Sequence, residues 1–414
     1  MGEWCLRGDP LVIERAAGSR LFDADGRSYL DANASWWSST LGHGHPRLLA
    51  ALRAQAERLC HAALAGIAHA PAAELAEALC RAAPAGLERV FFSDDGSTAV
   101  EVAMKLALRL AANSGRPERR AFVALEGAFH GETLGATALG GVELFRRPFE
   151  GALAECLRVP PPVGPGSLDR AVGALERTLA ANARRVAAVV LEPVVQGAAG
   201  MRIYDPAYLR AARELCDSHE VLLVFDEVFT GYGRTGPMWA CEHAGVAPDV
   251  LCTAKGLTGG VLPMAATLTT ERVFEAFLGD PERTFFYGHT FCGNPLGAAV
   301  ALEVLRAFED ERVLERAKPK SERIARAFAA MADLPGVAGA RSLGMIGALD
   351  LAGDSGYLAR AGWRVFEAAR ARGCYLRPLG NVVYVTPSLN IPDADLDDLL
   401  AIVRESVAEV AADA

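Results

Sequence analysis

Six short apolar runs punctuate the chain: VFFS (90–93), AFVAL (121–125), VAAVVLE (186–192), VLLVFDE (221–227), VLCTA (250–254) and MAATLTT (264–270). They are rich in β-branched or aromatic side chains and lack the polar alternation of a half-exposed sheet, which predicts buried parallel strands. Helical periodicity fills most of the intervals, as in 99–112 and in 206–219, which opens on Pro206. Such alternation predicts an α/β sheet covered by helices on both faces. After about residue 293 the pattern changes to long helical segments (295–310, 312–332, 356–372 and 393–411) around short strands at 343–351, 374–378 and 382–386. The expected division is an N-terminal segment, 1–45, packing with the small domain or a dimer surface, a large α/β domain, 46–293, and a small α+β domain, 294–414. VPPPVGPGS (159–167) is expected to be a loop within a domain, where Pro and Gly stop regular structure.

Composition narrows the class. The 414 residues are 51% hydrophobic and 22% charged, with 41 Gly and 22 Pro spread along the chain, which describes a globular protein and excludes disorder, collagen and coiled coil. Nine cysteines, at 5, 60, 80, 156, 216, 241, 252, 292 and 374, form no CxxC pair. They are expected to be reduced, mostly buried thiols of a cytoplasmic protein, and no metal is expected. The opening MGEWCLRGDPLVIER has no apolar core of signal-peptide length, and Glu192-Pro193 breaks the most apolar later run, so no membrane contact is expected. A net charge of −9 without long charge blocks points to a small-molecule partner rather than nucleic acid.

Lysine is scarce: Lys105, Lys255, Lys318 and Lys320 stand among 42 basic residues. Lys105 lies within a predicted helix and the pair around Pro319 lies in a charged stretch, so those three are expected to be solvated. Lys255 instead ends an apolar strand. A desolvated lysine has a lowered pKa and becomes a nucleophilic amine able to form a Schiff base.

Ligands of doubly wound sheets sit at the carboxyl ends of the strands, and three further strand ends carry fitting residues. Asp94-Asp95-Gly96-Ser97-Thr98 runs from a strand straight into a helix. It can be an N-cap, or a phosphate cradle of exposed N–H groups with Ser97 as an added donor. Asp226-Glu227 ends another strand, where Asp226 can cap a turn or hold the proton of a heterocyclic nitrogen. After AFVAL, Phe129 offers an aromatic face, and both it and His130 can equally be core residues. Together, a phosphate cradle, an aromatic face, a carboxylate and a lone lysine describe a site for pyridoxal 5′-phosphate.

The sequence also resembles the class III aminotransferases, fold-type I pyridoxal-phosphate enzymes. The likeness runs from about Phe22 to Ile402, through LGHGHP (41–46), DDGSTAVEVAMKLA (94–107), FHGET (129–133), LEPVVQG (191–197), FDEVFTGYGRTG (225–236), AKGLTGG (254–260) and GHTFCGNPL (288–296). Within the class it is most similar to the biotin-pathway members that convert 8-amino-7-oxononanoate to 7,8-diaminononanoate. Three features carry that likeness. SWWSS (35–39) matches tandem tryptophans that wall the substrate channel. Ala198 stands where ornithine-type members carry the Glu of a GEGG sequence. LRPLGNVVY (376–384) resembles the segment whose Arg binds the carboxylate of the keto acid and whose Tyr lies near it.

The resemblance implies that Lys255 is the Schiff-base lysine and proton carrier, that Asp226 pairs with the pyridine nitrogen and that Phe129 stacks on the ring. Gly96 and Ser97 would hold the phosphate, with His289 and Thr290 supplied by the neighbouring subunit of a homodimer. Trp36, Trp37, Phe129, Gly288, Arg377 and Tyr384 would contact substrate. Phe129-His130-Gly131-Glu132 replaces the Tyr-His-Gly-Asp usual in members that use S-adenosylmethionine, so S-adenosylmethionine and lysine are both expected donors. Asp95 replaces a common Ser and adds a negative charge beside the proposed phosphate. The N-terminal Trp-His-Pro-Tyr segment of relatives has no counterpart in this sequence. Two other readings are another ω-aminotransferase, acting on a diamine, β-amino acid or ornithine-like substrate, and a non-catalytic cofactor-binding homologue.

Overall fold

The computed structural model describes residues 10–412, so the thiol expected at Cys5 lies outside the described residues. Its centre is a seven-stranded sheet in the order Leu87–Ser93, Ala265–Thr270, Val250–Thr253, Leu222–Asp226, Val186–Leu191, Ala121–Leu125, Cys156–Val159. Both sheet faces are buried, as the unbroken apolar runs require. Val123, Leu125, Val189, Leu191, Leu223, Phe225 and Leu251 enter one core, and Phe122, Ala124, Val190, Leu222, Val224, Val250 and Cys252 enter the other. Successive strand residues point to opposite faces, so each run feeds two cores at once. The helix Gly96–Asn113 covers the second face with Val100, Ala103, Met104 and Ala107. Helices Ser167–Asn182 and Ala207–Ser218 cover the first.

Two sheet details differ from the sequence expectation. Ala265–Thr270 runs antiparallel to both neighbours, whereas a parallel strand was expected. Cys156–Val159 adds an edge strand beside Ala121–Leu125. Its run carries Arg158, whose guanidinium donates to the carbonyls of Ala138 and Gly140, so the strand is too polar to stand out by its pattern.

The C-terminal helices span Pro295–Asp310, Val313–Met331, Ala361–Ala371 and Asp393–Ala412. A three-stranded sheet, Val337–Leu343, Ile346–Leu351 and Val382–Val385, packs with them. Ser28–Asp31 pairs in parallel with Cys374–Tyr375, which ties the beginning of the described chain to its C-terminal part. Lys320 is not solvated as expected: it is buried, and its Nζ donates to the Leu389 carbonyl at 3.2 Å. Burial likewise holds its pKa below the usual lysine range. Lys105 is exposed, with its Nζ 3.9 Å from the Tyr287 ring centroid. Of the eight described cysteines, all free, four are buried, three are half-buried and Cys60 is exposed, fewer buried than expected. No helix among the described residues is long and apolar enough to cross a membrane.

Candidate active site

The carboxyl ends of the sheet strands open into a cavity of about 490 Å³. Lys255, Asp226, Gly96, Ser97, Phe129, Trp36 and Trp37 all line it. Residues drawn from five separate stretches of sequence therefore meet in one place.

Lys255 follows the strand Val250–Thr253 with a left-handed φ of 44°. A non-glycine residue in that region is strained, and such strain concentrates at functional sites. Among the described residues its Nζ has no hydrogen bond or ion pair; it lies 4.6 Å from the Trp37 ring centroid and 5.9 Å from that of Phe229. Burial lowers its pKa to about 8, against the opposing charges of Asp226 and Glu192. The neutral amine is therefore reached above about pH 8 rather than above the usual lysine range.

Asp226 ends its strand 5% exposed. Its Oδ1 accepts the Val228 N–H at 3.1 Å and its Oδ2 lies 2.8 Å from His130 Nδ1. Burial pulls the His130 imidazole down, but the hydrogen bond and charge of Asp226, helped by Glu192, lift it above the ordinary value. The adjacent Glu227 faces away: fully buried, it accepts the N–H groups of Ala240 at 3.0 Å and Cys241 at 2.9 Å. Strand alternation thus gives two neighbouring carboxylates different tasks.

At the start of the helix Gly96–Asn113 the N-cap reading of the DDGST run is realised. Asp95 is the N-cap: its carboxylate accepts Thr98 N–H at 2.9 Å, and Thr98 Oγ1 accepts Asp95 N–H at 2.9 Å. This capping box employs the extra acid in the helix itself. The N–H groups of Gly96 and Ser97 have no partner among the described residues, which leaves two donors at the positive end of the helix dipole. A Cβ at Gly96 would lie 2.6 Å from Val228 Cγ1, and one at Gly131 would overlap Ser97. A side chain at either place would crowd its neighbour.

A smaller cavity of about 280 Å³ adjoins the first and shares Trp36, Trp37, Phe129, Glu132 and Ala198 with it. Arg377 lines this second cavity and not the first, with its guanidinium carbon 3.5 Å from the Trp36 ring centroid. Tyr384 is buried behind the wall, and its hydroxyl accepts Trp37 Nε1–H at 3.2 Å. The two tryptophans face such different neighbours because Ala34, Ser35, Trp36 and Trp37 form a left-handed turn, with φ of 45°, 44°, 65° and 72°. Each left-handed L-residue costs on the order of 1–2 kcal/mol, and this run contains neither Gly nor Asn to relieve it.

Gly288, His289 and Thr290 do not line either cavity of this chain. His289 instead bonds Asp94 Oδ2 through Nδ1 at 2.7 Å and the Tyr287 hydroxyl through Nε2 at 2.9 Å. With Cys292 these two residues make a group of three potential metal ligands within 4.8 Å, the one such group among the described residues.

Two site residues escaped the sequence reading. Glu192, after the strand Val186–Leu191, is 6% exposed and accepts Phe129 N–H and Gly197 N–H, both at 3.0 Å. Burial raises its pKa to about 7. It fixes the backbone at Phe129 and Gly197, and the strand-end rule that found Asp226 would have found it. Val228, two residues beyond Asp226, covers Gly96 and has no polar signal.

This chain belongs to the class-III aminotransferase family, whose match covers residues 6–407, and is a pyridoxal-phosphate-dependent aminotransferase of fold type I. Among its relatives, the adenosylmethionine-8-amino-7-oxononanoate aminotransferase of Nitratidesulfovibrio vulgaris is 42% identical over 99% of this chain and 79% of its own. That of Geobacter sulfurreducens is 40% identical over 98% and 94%. The crystal structure of the enzyme of that name from Methanocaldococcus jannaschii superposes with a TM-score of 0.94 at 34% identity, covering 99% of this chain and 95% of that one. An ω-transaminase of Pseudomonas jessenii, solved in complex with PMP, superposes equally well at 28% identity over 99% and 95%.

Proposed function

We propose that the chain transfers an amino group to 8-amino-7-oxononanoate, giving 7,8-diaminononanoate in biotin synthesis. The observation that carries this reading is the paired cavity, in which Lys255 lines one part, Arg377 the other and both tryptophans line the two. A long keto acid with a terminal carboxylate matches that layout: an Arg fork suits the carboxylate and aromatic walls suit the aliphatic chain. The names of the relatives point the same way.

The residues fit pyridoxal phosphate. The open N–H groups of Gly96 and Ser97 would take the phosphate, Asp226 the pyridine nitrogen, Phe129 and Val228 the ring faces, and Lys255 the aldehyde carbon. When bound, the cofactor supplies an electron sink for the carbanion chemistry of transamination. Asp226 Oδ2 would hold the proton on the ring nitrogen, itself steadied by His130. Lys255 Nζ takes a proton from the donor carbon and returns one to the acceptor carbon. Trp37 shields that nitrogen from water, while Arg377 sets how far the acceptor enters. Ala198 keeps its own position free of an acid, and Glu132 is the acid that the two cavities share.

The donor is S-adenosylmethionine in this reading, after the relatives' names, with lysine as the alternative that Phe129 and Glu132 keep open. Gly288, His289 and Thr290 belong to the site of a second copy in a cytoplasmic homodimer. The exposure of Phe286, 81%, and Phe291, 58%, on either side of them supports a covered face there. Arg377→Ala tests the substrate. Hydrogen bonds to charged groups contribute about 1.5–3 kcal/mol, so KM for the keto acid should rise about 10- to 150-fold. An unchanged KM would favour an ω-aminotransferase with another acceptor.

A further inference from the structure

We propose that Asp31, with Ser35 and His43, is a clasp that holds the left-handed tryptophan turn and thereby positions Trp36 beneath Arg377, setting recognition of the substrate carboxylate. The carboxylate part of this inference rests on the substrate reading above. Asp31 is 3% exposed and its side chain is saturated. Oδ1 accepts Asn33 N–H at 3.2 Å, and Oδ2 accepts Ser35 N–H at 2.7 Å, Ser35 Oγ–H at 3.1 Å and His43 Nε2–H at 2.9 Å. Three of those donors belong to the turn or its entry, and the fourth reaches in from the segment that follows it. The sequence Ala34-Ser35-Trp36-Trp37 has no intrinsic preference for positive φ, so external bonds must impose the handedness.

The clasp shares its frame with the carboxylate site. Asn33, buried between Asp31 and the turn, accepts Arg377 N–H at 2.7 Å through Oδ1 and donates to the Tyr384 carbonyl at 3.2 Å through Nδ2. Trp37 has independent ties, being 4% exposed and bonded to the Tyr384 hydroxyl. Trp36 is 55% exposed and rests on Arg377. A loosened turn should therefore move Trp36 before Trp37, and Arg377 should lose the aromatic face that orients its fork.

The test uses full-length protein labelled with 5-fluorotryptophan, in which Trp36→Phe assigns one of five fluorine resonances. Asp31→Ala should shift or broaden the Trp36 resonance and raise KM for 8-amino-7-oxononanoate about tenfold, with the donor half-reaction within twofold of wild type. Asp31→Asn should restore part of both. Should Asp31→Ala fail to fold, Ser35→Ala and His43→Gln each remove one bond and should move the same resonance less. A folded variant whose Trp36 resonance stays in place overturns the clasp. If wild-type protein does not aminate 8-amino-7-oxononanoate, the substrate reading fails, while the fluorine spectrum still decides whether Asp31 positions Trp36.

Discussion

Gly96→Ala probes the phosphate cradle with a single carbon. The new Cβ would sit 2.6 Å from Val228 Cγ1 and 3.2 Å from Cγ2, and a β-branched side chain has little rotamer freedom with which to retreat. Overpacking of this kind costs about 1–3 kcal/mol, while alanine in a helix gains up to about 1 kcal/mol over glycine. The net loss for the cofactor-free protein is therefore about 3 kcal/mol or less, a melting shift of a few degrees. Cofactor binding should suffer more, because Val228 lines the same cavity and the displaced first turn carries the two open N–H groups. Losing one charge-assisted hydrogen bond, at about 1.5–3 kcal/mol, weakens binding about 10- to 150-fold. Equilibrium titration of cofactor-free protein with pyridoxal phosphate, with melting curves in parallel, measures both. Gly151→Ala serves as the control, since its Cβ would meet nothing within 4 Å. Unchanged cofactor affinity in a folded Gly96→Ala protein would refute the cradle.

Asp226→Asn should lower turnover on the order of 10²-fold or more and return the His130 pKa toward lower values, because Asp226 is what raises it; steady-state kinetics and histidine NMR read the two effects. Lys255 is protonated below about pH 8 and neutral above it, so the rate of reconstitution with pyridoxal phosphate should climb through pH 8 and level off, a profile absent from Lys255→Ala. For the cofactor-free protein the same lowered pKa is a burial penalty, fully present below about pH 8 and fading as pH rises toward 10.5. Stability should rise across that window in wild type relative to Lys255→Met, as denaturant titrations at each pH will show. Glu192→Gln replaces one of two acceptors for the Phe129 and Gly197 N–H groups with a donor, and should cost about 1–3 kcal/mol in chemical denaturation.

The inner strands of the sheet were legible in the sequence because they are buried on both sides, so their runs are apolar throughout. Strand direction was not: MAATLTT looks like its parallel neighbours, and only its pairing with Leu87–Ser93 and Val250–Thr253 makes it antiparallel. Val337–Leu343, half-buried along most of its length, lacked the apolar contrast that marks a strand. That Lys255, Asp226, Gly96 and Ser97 line one cavity was readable because ligand pockets of such sheets form at strand ends. The left-handed turn was not readable, since Ala34-Ser35-Trp36-Trp37 contains no Gly or Asn and its contacts come from side chains of the flanking segments, Asp31 and His43. Asp95 resolved in the same way: its charge beside the cradle looked adverse in sequence, and the capping box gives it a partner. The scarcity of lysine singled out Lys255 but misplaced Lys320, whose amine finds a buried carbonyl in the C-terminal part.

The visible absorption of the purified protein, followed through both half-reactions, tests the central claim most directly. With pyridoxal phosphate present, a band should appear that S-adenosylmethionine or lysine bleaches and that 8-amino-7-oxononanoate then restores. Absence of the band with excess cofactor, or its survival in Lys255→Ala protein as a borohydride-reducible adduct, would contradict the assignment of Lys255 and the aminotransferase chemistry built on it.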